Sequence, residues 1–183
     1  MSNLRLINDT SVTSGVSTTS ITDVFSSDFE IYKVVAENIV TSAEAFFSLR
    51  FINASGSIIS SNDYDFADLF LKSNTTFTER NVYTNQDDIF DFNLSIGSVS
   101  GGAGNTLAYI YNPTNTNTYT YLTFQASNVF DDSGTKGFIQ KGLGILKQKS
   151  NITGLHFISS TGTHTANIKV YGLRVDGWWV YYR

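Results

Sequence analysis

The side chains that could carry chemistry are few, because this chain of 183 residues contains no cysteine and only two histidines, His156 and His164. Disulfides, thiolate metal sites and cysteine nucleophiles are therefore excluded. A catalytic or zinc site needs several convergent ligands. A hairpin turn near Gly162 would hold the two imidazoles several residues apart. We expect both histidines to be surface side chains, and we expect no catalytic residue and no metal site.

The carboxylates cluster only weakly, as Asp63, Asp65 and Asp68, as Asp87, Asp88 and Asp91, and as Asp131 and Asp132. A calcium loop needs several oxygen ligands on one tight turn. The segment 62–65 resembles half of such a loop but lacks the glycine and the distant glutamate. Calcium is kept as an alternative to ordinary turn chemistry, and no other cofactor is expected. A polysaccharide hydrolase would need an acid pair, and nothing in the sequence singles out two carboxylates.

Signals for phosphate binding are missing from the sequence. The glycine-rich stretch 97–104 is not followed by Gly-Lys-Ser or Gly-Lys-Thr, so it is interpreted as a flexible connection between strands. The net charge is −4 and the basic residues are scattered, so nucleic acid is not expected as a partner. The densest basic stretch is interpreted as the solvated face of a strand and contains Lys136, Lys141, Lys147 and Lys149.

Composition and segment patterns limit where the protein is expected to act. Charged residues make up 15% of the chain, below the ~25% of ordinary soluble domains. No window approaches the ~20 apolar residues of a membrane helix, so membrane insertion is not expected. Residues 1–19 contain no apolar core of a secretory signal. A surface of hydroxyls and amides without an export signal fits a virion component assembled in a host cytoplasm.

The elements that must position these side chains are predicted to be strands. Apolar and polar residues alternate in segments such as 90–96, 119–126 and 166–171, which places Asn93 on a wet face. Turn signals lie at 54–57, 112–115, 131–134 and 160–163. About ten strands result, at the spacing of β-sandwiches and barrels. Only 35–45 and 63–72 could hold a helical turn.

The chain is divided into an N-terminal strand or arm at 1–24, a main β domain at 25–175 and an aromatic extension at 176–183. The arm would dock on a neighbouring subunit, whereas an ordinary first strand is slightly favoured. The aromatic extension either completes the core or contacts another chain, since Trp, Tyr and Arg are enriched at interfaces. The candidate subunit contacts are Trp178, Trp179, Tyr181 and Tyr182, with Leu4 and Leu6 as weaker candidates.

Four segments carry a resemblance to a known family: 25–35 (FSSDFEIYKVV) with 37–39, 47–51 (FSLRF) with 54–56, 107–113 (LAYIYNP), and 152–157 (ITGLHF) with 168–173 (IKVYGL). Together they resemble a recurrent family of tailed-phage virion proteins, common among marine and cyanobacterial phages. The resemblance spans about Phe25 to Leu173, and 63–88 match poorly. The family usually ends at the last of these strands, whereas this chain continues to Arg183.

The resemblance implies an all-β, jelly-roll-type antiparallel β-sandwich on the outside of a bacteriophage virion. Its members are non-enzymatic and serve as capsid decoration, or as part of the virus tail or a tail fibre. The implied partners are other virion proteins and further copies of the chain, and a trimer is the expected homo-oligomer.

A receptor- or carbohydrate-binding module of a phage tail is the alternative function. Such a module would bind a host-surface glycan during host attachment. Asn, Thr and Tyr make adaptable polar contacts, and they are abundant in one loop whose candidate ligand residues are Asn112, Asn115, Asn117 and Tyr119. A plain polar loop is the other interpretation of this segment.

Overall fold

A computed structural model describes residues 3–72, 78–96, 102–131 and 135–174, and within these ranges the chain is all-β, as predicted. The described strands are β1 (Leu4–Val16), β2 (Thr18–Ile21), β3 (Ile31–Thr41), β4 (Ala45–Asn53), β5 (Tyr64–Lys72), β6 (Thr78–Gln86), β7 (Ile89–Ile96), β8 (Gly104–Tyr111), β9 (Thr120–Asp131), β10 (Thr135–Leu146), β11 (Ile152–Ser159) and β12 (His164–Leu173). In the described part of the chain, no helix has the length and apolar character of a membrane span.

The strands form two antiparallel sheets that pack as a jelly-roll-type sandwich. The larger sheet has eight strands in the order β1-β12-β3-β8-β9-β10-β5-β6. The smaller sheet has four strands in the order β2-β11-β4-β7. The larger sheet therefore extends beyond the smaller one, and its outer face offers a broad surface.

The N-terminal segment contributes an edge strand to each sheet. β1 pairs with β12 from Leu4 opposite Leu173 to Val16 opposite His164. After Ser17 the chain enters the smaller sheet, where β2 pairs with β11. One continuous segment thus lies along the same side of both sheets.

The core between the sheets is aromatic. Phe47 and Phe157 of the smaller sheet stack with ring centroids 5.4 Å apart. Phe92, on β7, lies 5.8 Å from Phe124 of the larger sheet, measured between ring centroids. All four side chains are buried, so they contribute the hydrophobic and packing stabilisation that a chain without disulfides needs.

The predicted alternation holds in β9 and β12 but fails in β7. In β9, Leu122 and Phe124 face the core, whereas Tyr121 is exposed. In β7, Phe92 and Asn93 are both fully buried, so the wet face predicted for Asn93 is wrong. The pairing of β7 with β4 shifts register on both sides of Asn93. Such irregularities change which face a side chain takes, and alternation in the sequence cannot reveal them.

The two ambiguous segments also form strands. Residues 63–72 contain β5, and 35–45 contain the end of β3 and the start of β4. β3 is interrupted by a bulge, because its pairing with β8 passes from Ala36 to Ile39. Asn38 takes a positive φ of 53° there, a conformation that asparagine tolerates better than most residues. The bulge bends β3 and shapes the outer face of the larger sheet.

The link at 160–163 is not a hairpin. β11 belongs to the smaller sheet and β12 to the larger one, so the chain crosses between sheets at this turn. The turn is tied to the link between β3 and β4, because the Ser42 N–H donates to the Thr163 carbonyl at 2.9 Å. The hairpin geometry assumed for the two histidines is therefore wrong.

Candidate functional site

His164 is buried between the sheets, which corrects the expectation of a surface side chain. It is 1% exposed and belongs to β12. Its Nε2 lies 2.8 Å from Thr19 Oγ1, and its Nδ1 lies 3.0 Å from Ser159 Oγ. Both hydroxyls belong to the smaller sheet. Burial lowers the pKa of His164, so the neutral imidazole acts as a polar tie between the sheets.

His156 is also buried, at 7% exposure, so the surface expectation is wrong for both histidines. Its Nδ1 lies 2.8 Å from Ser20 Oγ. A serine nucleophile would need this imidazole to act as a base oriented by a third group. Instead, Arg50 lies opposite His156 on β4, and burial and this cation lower the pKa of the imidazole. The arrangement therefore lacks the electrostatics of a catalytic dyad.

Arg50 connects the smaller sheet to the acidic turn before β7. Its guanidinium donates to the Asp87 carboxylate and, at 3.0 Å, to the Asp87 carbonyl. The Asp88 carboxylate lies 4.0 Å from the same guanidinium. Burial and the neighbouring Asp87 raise the pKa of Asp88 to about 6, and Arg50 only partly offsets them.

The other acidic residues are held by separate partners. Asp65 forms an ion pair of 2.8 Å with Lys147. Asp63 accepts a hydrogen bond of 2.7 Å from the Gln148 amide, and buried Asp68 accepts one from Gln140. Among the described residues, no three side chains of metal-binding type converge. The side chains of Asp91, Asp131, Asp132 and Lys136 lie outside the described part.

The candidate ligand loop forms a turn bonded within itself. Asn112 has a positive φ of 58°, and its N–H donates to the Glu30 carbonyl at 2.9 Å. The side-chain oxygen of Asn115 accepts the N–H of Asn117 at 2.9 Å. Asn115, Asn117 and Tyr119 are exposed. These contacts explain the polar residues by turn formation.

A concavity of about 630 Å³ lies on the outer face of the larger sheet, and we name it the sheet groove. It spans β3, β8, β9 and β10 beside the bulge. The register places Val35 beside Leu107 and Ser127 beside Ile139, so neighbouring strands supply its apolar wall. The polar lining contains Glu37, Asn38, Asn105, Gln125 and Ser127.

An aliphatic patch lies next to the sheet groove, on β5 and β10. It consists of Leu69, Leu71, Ile139 and Leu143, which are 42%, 48%, 45% and 47% exposed. Ile139 pairs directly with Leu71, and the exposed Lys141 pairs with Leu69 and lies between Ile139 and Leu143 on the same face. Four large aliphatic side chains gathered on one exposed face are typical of an interaction surface.

Sequence reasoning missed the patch because β10 carries apolar residues on both faces, with Gln140 on the inner face and Lys141 on the outer one. Gly142 and Gly144 take inward positions, which places Leu143 outside. A Cβ at Gly144 would overlap the end of the Ile89 side chain, so any larger residue there would force that side chain to move. The paired strands are also far apart in the sequence. A signal for it was the short alternation of glycine with apolar residues in 142–145.

The structure describes only some of the predicted subunit contacts. Leu4 is half-buried and Leu6 is 50% exposed, both on edge strand β1. Trp178, Trp179, Tyr181 and Tyr182 lie outside the described residues. The glycine-rich connection at 97–101 also lies outside them.

The site is therefore defined by the chemistry of one sheet face, with the sheet groove on one side and the aliphatic patch on the other. Neither feature involves the residues that had been singled out for catalysis or metal binding. No model of a known protein family matches the chain, and no curated protein matches it.

Proposed function

We propose that the protein is a non-enzymatic structural component on the outside of a bacteriophage virion. In this role it assembles with further copies of itself and with other virion proteins, as capsid decoration or as part of a tail or fibre. The placement in a virion derives from the family resemblance of the sequence. The assembly mechanism derives from the outer face of the larger sheet.

The aliphatic patch is the observation that carries the assembly proposal. Leu69, Leu71, Ile139 and Leu143 each keep nearly half of their surface exposed. Covering the exposed half of such a side chain contributes about 1 kcal/mol, and the four contributions together offset part of the entropic cost of association. A second copy or a neighbouring virion protein would gain this free energy by covering the patch.

The aromatic segment 176–183 is proposed as a further contact. It contains Trp178, Trp179, Tyr181 and Tyr182 within a few residues. Tryptophan and tyrosine bury large areas and are enriched among residues that dominate binding energy. The segment follows β12, whose last residues pair with Leu4 of edge strand β1.

A non-enzymatic role is supported by the way in which the candidate chemical groups are used. His164 and His156 are bonded to hydroxyls as structural ties, and a cation lies beside His156. Asp65 is bound by Lys147 and Asp87 by Arg50. These contacts describe groups that hold strands together, which is sufficient to explain their presence.

The test is the mass of the purified protein in solution, measured by light scattering. The double variant Leu69→Thr/Leu143→Thr removes half of the patch and introduces threonine, whose β-branched side chain suits a strand. We expect the wild type to be an oligomer and this variant to be smaller. Tyr121→Thr is the matched control, because Tyr121 is 40% exposed on the same face but outside the patch. An unchanged mass for the double variant would contradict the role of the patch.

A further inference from the structure

We propose that the sheet groove is a binding site for a neutral oligosaccharide. This site lies on the sheet face and not in the loop at 112–119. The inference goes beyond the proposed assembly function and does not depend on it. It rests on the shape, the polar groups and the charge of the groove.

The shape of the groove suits a small ligand. Its volume of about 630 Å³ falls within the ~300–1,000 Å³ that is usual for ligand sites. The β3 bulge between Ala36 and Ile39 supplies Glu37 and Asn38 to the lining of the groove. The walls are strands, which position a site more accurately than a loop does.

The polar groups of the groove match a ligand that carries many hydroxyls. The Asn105 side-chain oxygen accepts the Asn38 N–H at 3.1 Å, which leaves the Asn105 NH₂ as a donor. Gln125 and Ser127 are exposed and have no side-chain hydrogen bond within the described ranges. An amide both donates and accepts, and so does a hydroxyl, which is the pairing that sugar hydroxyls require.

The charge of the groove favours a neutral ligand. Glu37 is the charged residue of the described lining, and Lys169 lies 3.3 Å from its carboxylate. The pair leaves no net charge for a phosphate, a sulfate or an ammonium group to neutralise. Lys141 pairs with Gln125 across β9 and β10, but it lies beyond the lining.

The apolar wall completes the match to a sugar. Val35, Leu107 and Ile139 line the groove, and the C–H faces of a pyranose ring can pack on aliphatic side chains. Tyr109 is the next outward residue after Leu107 on β8, and it extends this surface beyond the groove. Ile139 belongs to both the groove and the aliphatic patch, so a bound sugar would border the patch.

The experiment is saturation-transfer-difference NMR on the full chain with maltotriose, cellotriose and triacetylchitotriose as neutral probes. A sialylated trisaccharide and a sulfated disaccharide serve as charged comparators. We expect transfer to at least one neutral probe, with a dissociation constant of about 1 mM. Transfer to no probe, or only to a charged one, would overturn the proposal.

Variants locate the site. Gln125→Ala/Ser127→Ala removes polar groups that make no side-chain hydrogen bond to the described residues, and it should weaken binding about tenfold. Asn117→Ala, in the loop, should bind as the wild type does. If the loop variant loses binding and the groove variant retains it, the proposed location is wrong. Light scattering of the groove variant should match the wild type, so this result and the assembly test are independent.

Discussion

Buried polar side chains at single positions explain much of the described structure. His164 makes two hydrogen bonds from one sheet to the other. Its imidazole ring packs edge-on against the Phe47 ring, with the centroids 5.0 Å apart. Asn93 donates to Thr106 Oγ1 at 3.0 Å and accepts from Asn128 at 2.9 Å. Buried polar groups that are satisfied in this way specify one arrangement of the sheets.

Replacing His164 should reveal its role as a tie. His164→Leu leaves the hydroxyls of Thr19 and Ser159 without this partner, and the free energy of unfolding should fall by about 2–3 kcal/mol near neutral pH. Urea denaturation followed by circular dichroism measures this change. Thr165→Ala, at the adjacent and less buried position, is the control and should change stability by under about 0.5 kcal/mol.

The same substitution should alter the pH dependence of stability. The pKa of folded His164 lies below its usual value. The unfolded state therefore binds the proton more tightly, and stability is lost as the pH falls from about 6.5 through the folded pKa. His164→Leu should lose this part of the decrease in stability at acid pH. The part that His156 contributes should remain. An unchanged slope would contradict a buried neutral His164.

The titration of Asp88 is predicted to change stability with pH in the opposite direction to that of His164. Its folded pKa of about 6 lies above the usual range of an aspartate, so its contribution to stability is lost as the pH rises through about 6. Asp88→Asn should raise the free energy of unfolding by about 1–2 kcal/mol above this pH. The gain should vanish near the pH where the unfolded carboxyl is protonated.

Asp87→Asn is a second test of this prediction, because removing the Asp87 charge should lower the pKa of Asp88. Asp87 pairs with Arg50 but has 51% of its side chain exposed. Ion pairs of this exposure contribute about 0–1 kcal/mol. If the difference in the free energy of unfolding between Asp88→Asn and the wild type does not change with pH, Asp88 does not titrate in this range.

The positions of these polar residues were not predictable from the sequence. Alternation correctly assigned Leu122 and Phe124 to the core, because β9 is regular over that segment. It failed for Asn93 because register shifts lie on both sides of that residue. The surface expectation for His164 came from an assumed hairpin at 160–163, where the chain instead changes sheets, and local sequence does not encode a cross-sheet partner.

In β10, close packing against the smaller sheet determines which face of the strand carries its large side chains. A Cβ at Gly144 would overlap Ile89 of the smaller sheet and lie 3.3 Å from Leu122. Because the end of the Ile89 side chain must shift to admit this Cβ, Gly144→Ala should destabilise the fold by about 1 kcal/mol. Thr123→Ala, on the exposed face of the neighbouring strand, is the control. Equal thermal midpoints for the two variants would contradict the close packing of β10 on β7.

Strand existence was predictable, but strand partnership was not. The period of two located the strands, and the turn at 54–57 is formed with Gly56 at a positive φ of 77°. The sheet groove needs β3, β8, β9 and β10 side by side, with a bulge in β3. The aliphatic patch needs β10 beside β5. Both depend on pairings between segments that are distant in the sequence.

For the whole molecule, unequal sheets have a functional consequence. The eight-stranded sheet extends past the four-stranded one, so a sandwich of 183 residues presents a wide outer face. One part of this face is polar and concave, and the other is aliphatic and exposed. We infer that the aliphatic part serves assembly, and that the concave part serves ligand binding.

The aromatic extension should add to assembly. A truncation ending at Arg174 keeps the N–H of Arg174 that donates to the Asn3 carbonyl at 2.9 Å. It removes Trp178, Trp179, Tyr181 and Tyr182. We expect this truncation to fold, as judged by circular dichroism, and to have a lower mass in solution than the full chain. A folded truncation of unchanged stoichiometry would assign the extension to another role.

The mass of the full, unmodified chain in solution, measured by light scattering over a range of concentrations, tests the assembly account most directly. We expect a discrete oligomer, with a trimer as the stoichiometry that the family resemblance implies. An oligomer that falls to a smaller species in Leu69→Thr/Leu143→Thr would support assembly through the aliphatic patch. A full chain that stays monomeric at every concentration would contradict self-assembly as its mode of action.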